Sequence, residues 1–190
     1  MSADEWSAAG SMLSGVGTIV AVCLAGWAAR TAVANALLQS RRAKADEKRA
    51  DVAQQAWMAA FRLFRGLDTV TSPWNIIDKD EATQQLSASE KLYKRKEDAL
   101  KRVNDARNSL LDAWALAELH LPKTALEQLD ATWSVTGKTI VDFDMYAMSL
   151  DSPGDMPDAR KNLFGDASKE RRASCETKLR DALIPIARHE

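Results

Sequence analysis

WSAAGSMLSGVGTIVAVCLAGWAA, residues 6–29, runs without one formal charge in a chain of 190 residues of which 28% are charged. Asp4 and Glu5 precede it, and Arg30, Arg41, Arg42, Lys44, Lys48 and Arg49 follow. A hydrocarbon core of about 30 Å takes roughly 20 helical residues to cross. Inside it every backbone amide must bond within its own segment, so an uncharged run of this length reads as one spanning helix. Trp6 and Trp27 would lie about 31 Å apart on such a helix, which suits indoles at the two interfaces. Trp6, Trp27 and Arg30 are therefore the expected membrane-interface residues. The basic cluster is C-terminal only, so the positive-inside bias orients the N-terminus outward and everything after Arg30 into the cytoplasm. The expected location is the inner membrane, crossed once.

Three alternatives compete with a span. A cleaved signal wants a basic region ahead of its apolar core, whereas here the leading charges are acidic. A lipoprotein site wants a small residue before the cysteine, and Val22 precedes Cys23. The third alternative is a soluble Ala/Gly-rich helix buried in an oligomer, since Gly, Ser and Ala dilute the hydrophobicity of the run. Only Cys23 and Cys175 are present, so no disulfide framework is expected. A net charge of −1 gives no global pull toward nucleic acid or acidic lipid.

Gly17, Ala21, Ala25, Ala28 and Ala32 recur at three- and four-residue spacing and share one helix face with little side-chain bulk. Helices associate in bilayers by close backbone approach along such stripes, so this is the expected oligomerisation face. The commonness of Ala and Gly in spanning helices explains the same residues without any association. The helix is expected to continue beyond the membrane. Between Thr31 and Gly66 there is no proline, and Ala, Arg, Lys and Gln favour helix. The apolar positions Ala50, Ala53, Trp57, Ala60, Phe61, Phe64 and Leu67 follow a 3.6-residue period. A helix from about Ser7 to Arg65 would be roughly 85–90 Å long. Its mixed-charge segment, residues 41–51, reads as a solvated, coiled-coil-like neck.

Gly66 and the Asp68–Asn75 stretch carry the punctuation of a loop, with Pro73 and Trp74 expected to fold back on the body. A second helix is predicted over about Asp80 to Leu121, with Leu92, Leu100, Val103, Leu110, Trp114 and Ala117 on its apolar side. Pro122 suits the first turn of a third helix, whose inner face is predicted to hold Leu126, Leu129, Trp133, Ile140, Phe143, Ala147 and Leu150. Residues 151–158, DSPGDMPD, form a turn. The last helix is predicted from about Asp158 to Ala187, with Phe164, Ala167, Leu179, Leu183 and Ile186 inward and Pro185 kinking or fraying its last turn. No segment alternates with period two, so no sheet is expected. The fold class is all-α: a single N-terminal transmembrane helix (residues 1–30), a neck helix (31–66) and a cytoplasmic antiparallel four-helix bundle (67–190).

Chemistry is sparse. His120 and His189 are the only histidines, and neither has a partner at metal-ligand spacing. Cys175 lacks a nearby His and reads as a partly buried structural thiol. No phosphate-binding glycine loop occurs. Asp142 and Asp144, flanking Phe143, read as solvating the edge of the bundle. The sequence offers no catalytic, cofactor-binding or metal residues, and no cofactor is expected. Lys94, Arg95, Lys96, Lys101 and Arg102, with Lys91, form the one candidate basic surface for a nucleic acid or lipid headgroup. Glu90, Glu97, Asp98 and Asp105 interleave with it, which favours a solvated face of i,i+4 pairs; nucleic acid is not an expected partner.

An outward N-terminus, one small-residue-rich span, a long neck and a helical bundle together resemble the layout of small bacterial membrane proteins that accompany antiviral systems. Among them is the membrane accessory protein of RNA-targeting type VI-B CRISPR systems. That resemblance implies a pore-like oligomer carrying a divergent ribonuclease-type bundle. The bundle ribonuclease signature places an Arg shortly before a His. The corresponding positions here are Ala113, Trp114 and Ala115 for His120, and Ala182, Leu183 and Ile184 for His189. None is Arg, so no nuclease residues carry over.

The expected function is therefore non-enzymatic: a membrane-anchored homo-oligomer whose spans gather, surround a pore or dock a cytoplasmic partner, in antiviral defence. The alternative is a membrane-tethered nuclease or other hydrolase with a divergent site in the bundle. A passive anchor that recruits a cytoplasmic protein is the third reading.

Overall fold

A computed structural model describes the backbone of residues 3–72, 86–152, 154 and 156–188, and within that set the side chains from residue 24 onward. Among the described residues the protein is all-helical. Its elements are α1 (Ala3–Val70), α2 (Ala88–His120), α3 (Lys123–Asp151), α4 (Ala159–Phe164) and α5 (Asp166–Ala187). The chain divides into two compact units, Met1–Glu47 and Lys48–Glu190.

The first unit consists of the N-terminal part of α1. From Leu24 to Arg49 its residues are exposed, apart from the half-buried Thr31. The Thr31 hydroxyl donates back to the carbonyls of Trp27 and Ala28 at 3.1 and 2.9 Å, so it is satisfied within its own helix. Among the described residues no helix is long and apolar enough to cross a membrane. The side chains of residues 1–23, which make up most of the predicted span, lie outside the described residues.

The second unit begins inside the predicted neck. Its helices share a pattern that the 3.6-residue reading blurred. In α1 the buried positions Ala53, Ala56, Ala60, Leu63, Leu67 and Val70 alternate spacings of three and four. In α2 the same alternation runs through Leu92, Lys96, Ala99, Val103, Ala106, Leu110, Ala113 and Ala117. Such a 3.5-residue seam is the signature of helices packed side by side, knobs into holes. It starts near Ala50, close to the division between the two units at Lys48. Fully buried Leu63, Leu67, Leu110, Leu129, Leu179 and Leu183 each contribute about 1.5–3 kcal/mol of transfer free energy.

Contacts between side chains fix the antiparallel order. Gly66 of α1 abuts Val103 of α2, whereas Thr69 and Ser72 meet the earlier Lys96. Trp114 packs edge-on against Trp133, and Tyr93 against the later Phe143. Thr132 touches Cys175, while Asp142 meets the earlier Arg171. Arg65 pairs with Glu176, and Thr71 with the earlier Arg172. Each helix thus runs against its sequence neighbour, with α5 returning beside α1. α4 packs against α3 and α5.

Several boundaries depart from the sequence expectation. α1 continues through Gly66, which is not a stop. A Cβ there would come within 2.8 Å of the Val103 Cγ2 atom, so this glycine lets α1 and α2 approach closely. α2 begins at Ala88, behind a capping box in which the Ser87 Oγ accepts from the Glu90 N–H and the Glu90 carboxylate accepts from the Ser87 N–H. Residues 73–85, including Pro73 and Trp74, lie outside the described residues. Pro122 caps α3 rather than entering its first turn.

The predicted last helix is two helices, divided at Gly165. A Cβ at Gly165 would sit 2.3 Å from the Lys161 carbonyl oxygen, so the tight exit from α4 needs a residue without one. The break turns Ser168 inward and leaves Ala167, predicted to face the core, exposed. The end at Ala187 is the expected one, with Pro185 inside α5.

Candidate functional site

The inner face of α3 is the predicted one in part: Leu129, Phe143 and Ala147 are buried as expected, but the stripe is rotated about them. Its fully buried stripe is Ala125, Leu129, Thr132, Thr136, Thr139, Phe143 and Ala147. Leu126, Trp133, Ile140 and Leu150 are half-buried beside it. Three threonines occupy the seam because each hydroxyl is satisfied within the helix. Thr132, Thr136 and Thr139 donate to the carbonyls of Gln128, Thr132 and Val135 at 2.8, 2.7 and 2.8 Å. A threonine so bonded presents its methyl group to the core.

Beyond Thr136 the bundle becomes polar and charged. Asp142 is 3% exposed, contrary to its expected place at a solvated edge. The Lys138 ammonium lies 3.2 Å from its Oδ1, and the Arg171 guanidinium 3.6 Å from its Oδ2. Arg172 is buried as well, donating to Ser168 Oγ at 2.9 Å and to Thr71 Oγ1 at 3.2 Å. Burial pushes its guanidinium below the usual value, opposed by the charge of Asp68. Among the described residues the Nε atoms of Arg171 and Arg172 have no hydrogen-bond partner. Asp144 remains at the margin and accepts from the Tyr93 hydroxyl at 2.8 Å. Desolvation, reinforced by that carboxylate, raises the Tyr93 phenol to about 12.

Lys96 departs most from the expected basic surface. Lys94, Arg95, Lys101 and Arg102 are exposed, but Lys96 is only 7% exposed. It occupies a seam position of α2, and its Nζ donates to the carbonyls of Thr69 and Ser72 at 2.9 and 3.0 Å. Thr69 lies in the last turn of α1 and Ser72 just beyond it, where carbonyls lack intrahelical donors and a cation is favoured. Burial lowers the pKa of this ammonium. Periodicity in α2 already ran through residue 96, and only its charge kept it out of the predicted core. Arg102 lies farther along, its Nε donating to the Asp98 carbonyl at 3.1 Å.

A cavity of about 170 Å³ opens beside Lys96, between the C-terminus of α1, the start of α2, α3 and α4. Ser72, Lys96, Tyr146 and Arg160 bring polar groups to it, and Phe143 and Phe164 supply ring walls. Tyr146 and Phe164 meet edge-to-face at 4.9 Å. A shallower groove follows the α1–α2 contact, in two stretches of about 620 and 440 Å³ that share Arg62 and Ser109. Ala59, Gly66, Ala106 and Ala113 floor it, and both signs of charge line it.

Of the predicted oligomerisation face, Ala25, Ala28 and Ala32 are exposed on α1, while Gly17 and Ala21 lie among the side chains outside the described residues. Trp27 is 68% exposed and Arg30 is exposed; Trp6 lies outside. His120 is half-buried as the last residue of α2. Cys175 is a buried free thiol 3.5 Å from the Thr132 hydroxyl, in keeping with a structural role. Desolvation raises its pKa. Among the described residues no group of three or more His, Cys, Asp or Glu is placed to hold a metal ion. Comparison with protein-family models, with curated proteins and with solved structures returns no match.

Proposed function

We propose that the protein is a non-enzymatic, membrane-anchored helical protein that self-associates through the small-residue face of α1 and presents its bundle on the cytoplasmic side. The observation that carries this reading is a set of exposed large apolar side chains on α1. Leu24, Trp27, Val33, Leu37 and Leu38 are between 53% and 68% exposed on α1, and among the described residues of their unit there is no second element to cover them. A lone helix is marginal in water, and its stability comes from burying an apolar face. A bilayer or a second copy of the same helix supplies that burial. The uncharged run at residues 6–29, flanked by basic residues on one side only, favours the bilayer for its upper part. Ala25, Ala28 and Ala32 permit close backbone approach between copies.

Gathered spans of this kind would form a pore-like or partner-docking assembly, in line with the resemblance to membrane proteins of antiviral systems. Crosslinking in native membranes should give a ladder beyond monomer, and Ala25→Leu or Ala28→Leu should shorten it. A full-length product that stays in the supernatant after ultracentrifugation without detergent overturns the membrane reading. Recovery in the membrane as monomer alone would leave the anchor and remove the assembly.

A further inference from the structure

We propose that the cavity between the C-terminus of α1 and helices α2, α3 and α4 binds a short-chain organic carboxylate, whose charged end meets Lys96 and Arg160 and whose hydrocarbon end lies among the rings of Phe143, Tyr146 and Phe164.

The argument begins with charge. Two cationic side chains line this cavity, and its described lining contains no Asp or Glu. Lys96 is buried, and its two hydrogen-bond acceptors are neutral carbonyls. An ammonium carries three donors, so one remains beyond those two bonds. Arg160 is exposed and takes part in no hydrogen bond or ion pair among the described residues. Asp142, the one buried carboxylate among the described residues, is already engaged by Lys138 and Arg171 and is not among the described lining of the cavity. A buried charge without a counter-charge is costly, and an anion in this cavity supplies one. Charge-assisted bonds from both cations to a carboxylate are the strong kind.

Size and wall chemistry narrow the class. About 170 Å³ is below the roughly 300–1,000 Å³ of drug-sized ligand sites, which favours a small molecule over a nucleotide or a long acyl chain. Aromatic and aliphatic walls, Phe143, Phe164 and Leu92 among them, suit a hydrocarbon tail better than the hydrated oxygens of an inorganic oxyanion. Small-molecule sites combine a mostly apolar lining with a few placed polar groups in this way.

The test is titration calorimetry on the full-length, detergent-solubilised protein with butanoate as the probe, and with acetate and inorganic phosphate as comparisons. Butanoate should bind saturably, one per chain, and raise the melting temperature; acetate and phosphate should bind at least tenfold more weakly. Arg160→Gln should weaken butanoate at least tenfold, and Arg160→Lys should recover part of the loss. Arg160 is exposed, so these variants keep their helix content, which circular dichroism checks. No saturable butanoate binding overturns the proposal. So does phosphate binding as tight as butanoate, or affinity unchanged in Arg160→Gln.

Discussion

The two ends of the bundle are built from the same seam but fill it differently. At one end, where α1 enters and α2 finishes, the seam holds Ala56, Leu63, Leu110, Ala113, Ala117, Leu129, Leu179 and Leu183, all buried. Trp114 and Trp133 close its side at right angles, with Arg107 4.5 Å above the Trp133 ring. At the other end, corresponding positions hold Lys96, Thr139, Ser168 and Arg172, with Asp142 beside them. The difference follows from where helices stop. α1 ends at Val70 inside the bundle, and its last carbonyls need donors that no further turn provides. Thr71, through both its N–H and its hydroxyl, serves the Leu67 carbonyl, and Lys96 serves those of Thr69 and Ser72. Polar side chains are tolerated in the seam where a helix terminus creates demand for them.

That contrast can be broken most sharply at the apolar end. Leu179→Ala removes a fully buried side chain, and should cost about 3–4 kcal/mol in denaturant unfolding. A loss below about 1 kcal/mol would mean that this end is loosely packed. At the polar end, Asp142→Asn leaves Arg171 and Lys138 without their shared carboxylate. Removing one partner of a buried pair costs 3–5 kcal/mol, but the Lys138 side chain is 51% exposed, and solvent screening reduces the expected loss to about 2 kcal/mol.

A smaller, pH-dependent effect belongs to the polar end alone. The Tyr93 phenol is raised from 10.0 to about 12, by desolvation first and by the Asp144 carboxylate second. A raised acid favours its protonated form in the folded state. Its contribution is therefore complete below pH 10 and is lost as pH climbs from 10 toward 12. Ultraviolet titration should show one phenol ionising near 12, and Asp144→Asn should bring it only partway back, because desolvation remains. The smallest change is expected from Thr136→Val. Its hydroxyl serves its own helix at 2.7 Å, so stability should move by less than about 1 kcal/mol in either direction. A larger loss would show that the threonine hydroxyls bind across the bundle.

Much of this architecture was legible in the chain. Ala-rich, proline-free stretches gave the long helices, and Pro122 marked the junction between α2 and α3. Leu92, Val103, Leu110 and Ala117 are buried as their spacing implied. The misses have a common cause. Reading only apolar residues as core rotated the α3 face toward Leu126 and Trp133 and away from Thr132, Thr136 and Thr139. It also kept Lys96 and Asp142 on the surface. Small and polar residues at seam spacing carry no hydrophobic signal of their own, and only the satisfied carbonyls and hydroxyls around them make their burial sensible. The capping box at Ser87 and Glu90 was readable in the sequence and would have placed the start of α2. Gly165 carried no such cue, because its role depends on the distance to one carbonyl of the preceding turn.

Lys96 also has a bearing on alignment between helices. A repeating seam of alanines and leucines would be nearly as content slid along its neighbour by one full repeat. With an ammonium in one slot, such a slip would strand that cation against alkyl groups and leave the ends of α1 without their donor. A single lysine thereby acts as an index pin, selecting one axial offset of α2 against α1 from several that the hydrocarbon alone would accept.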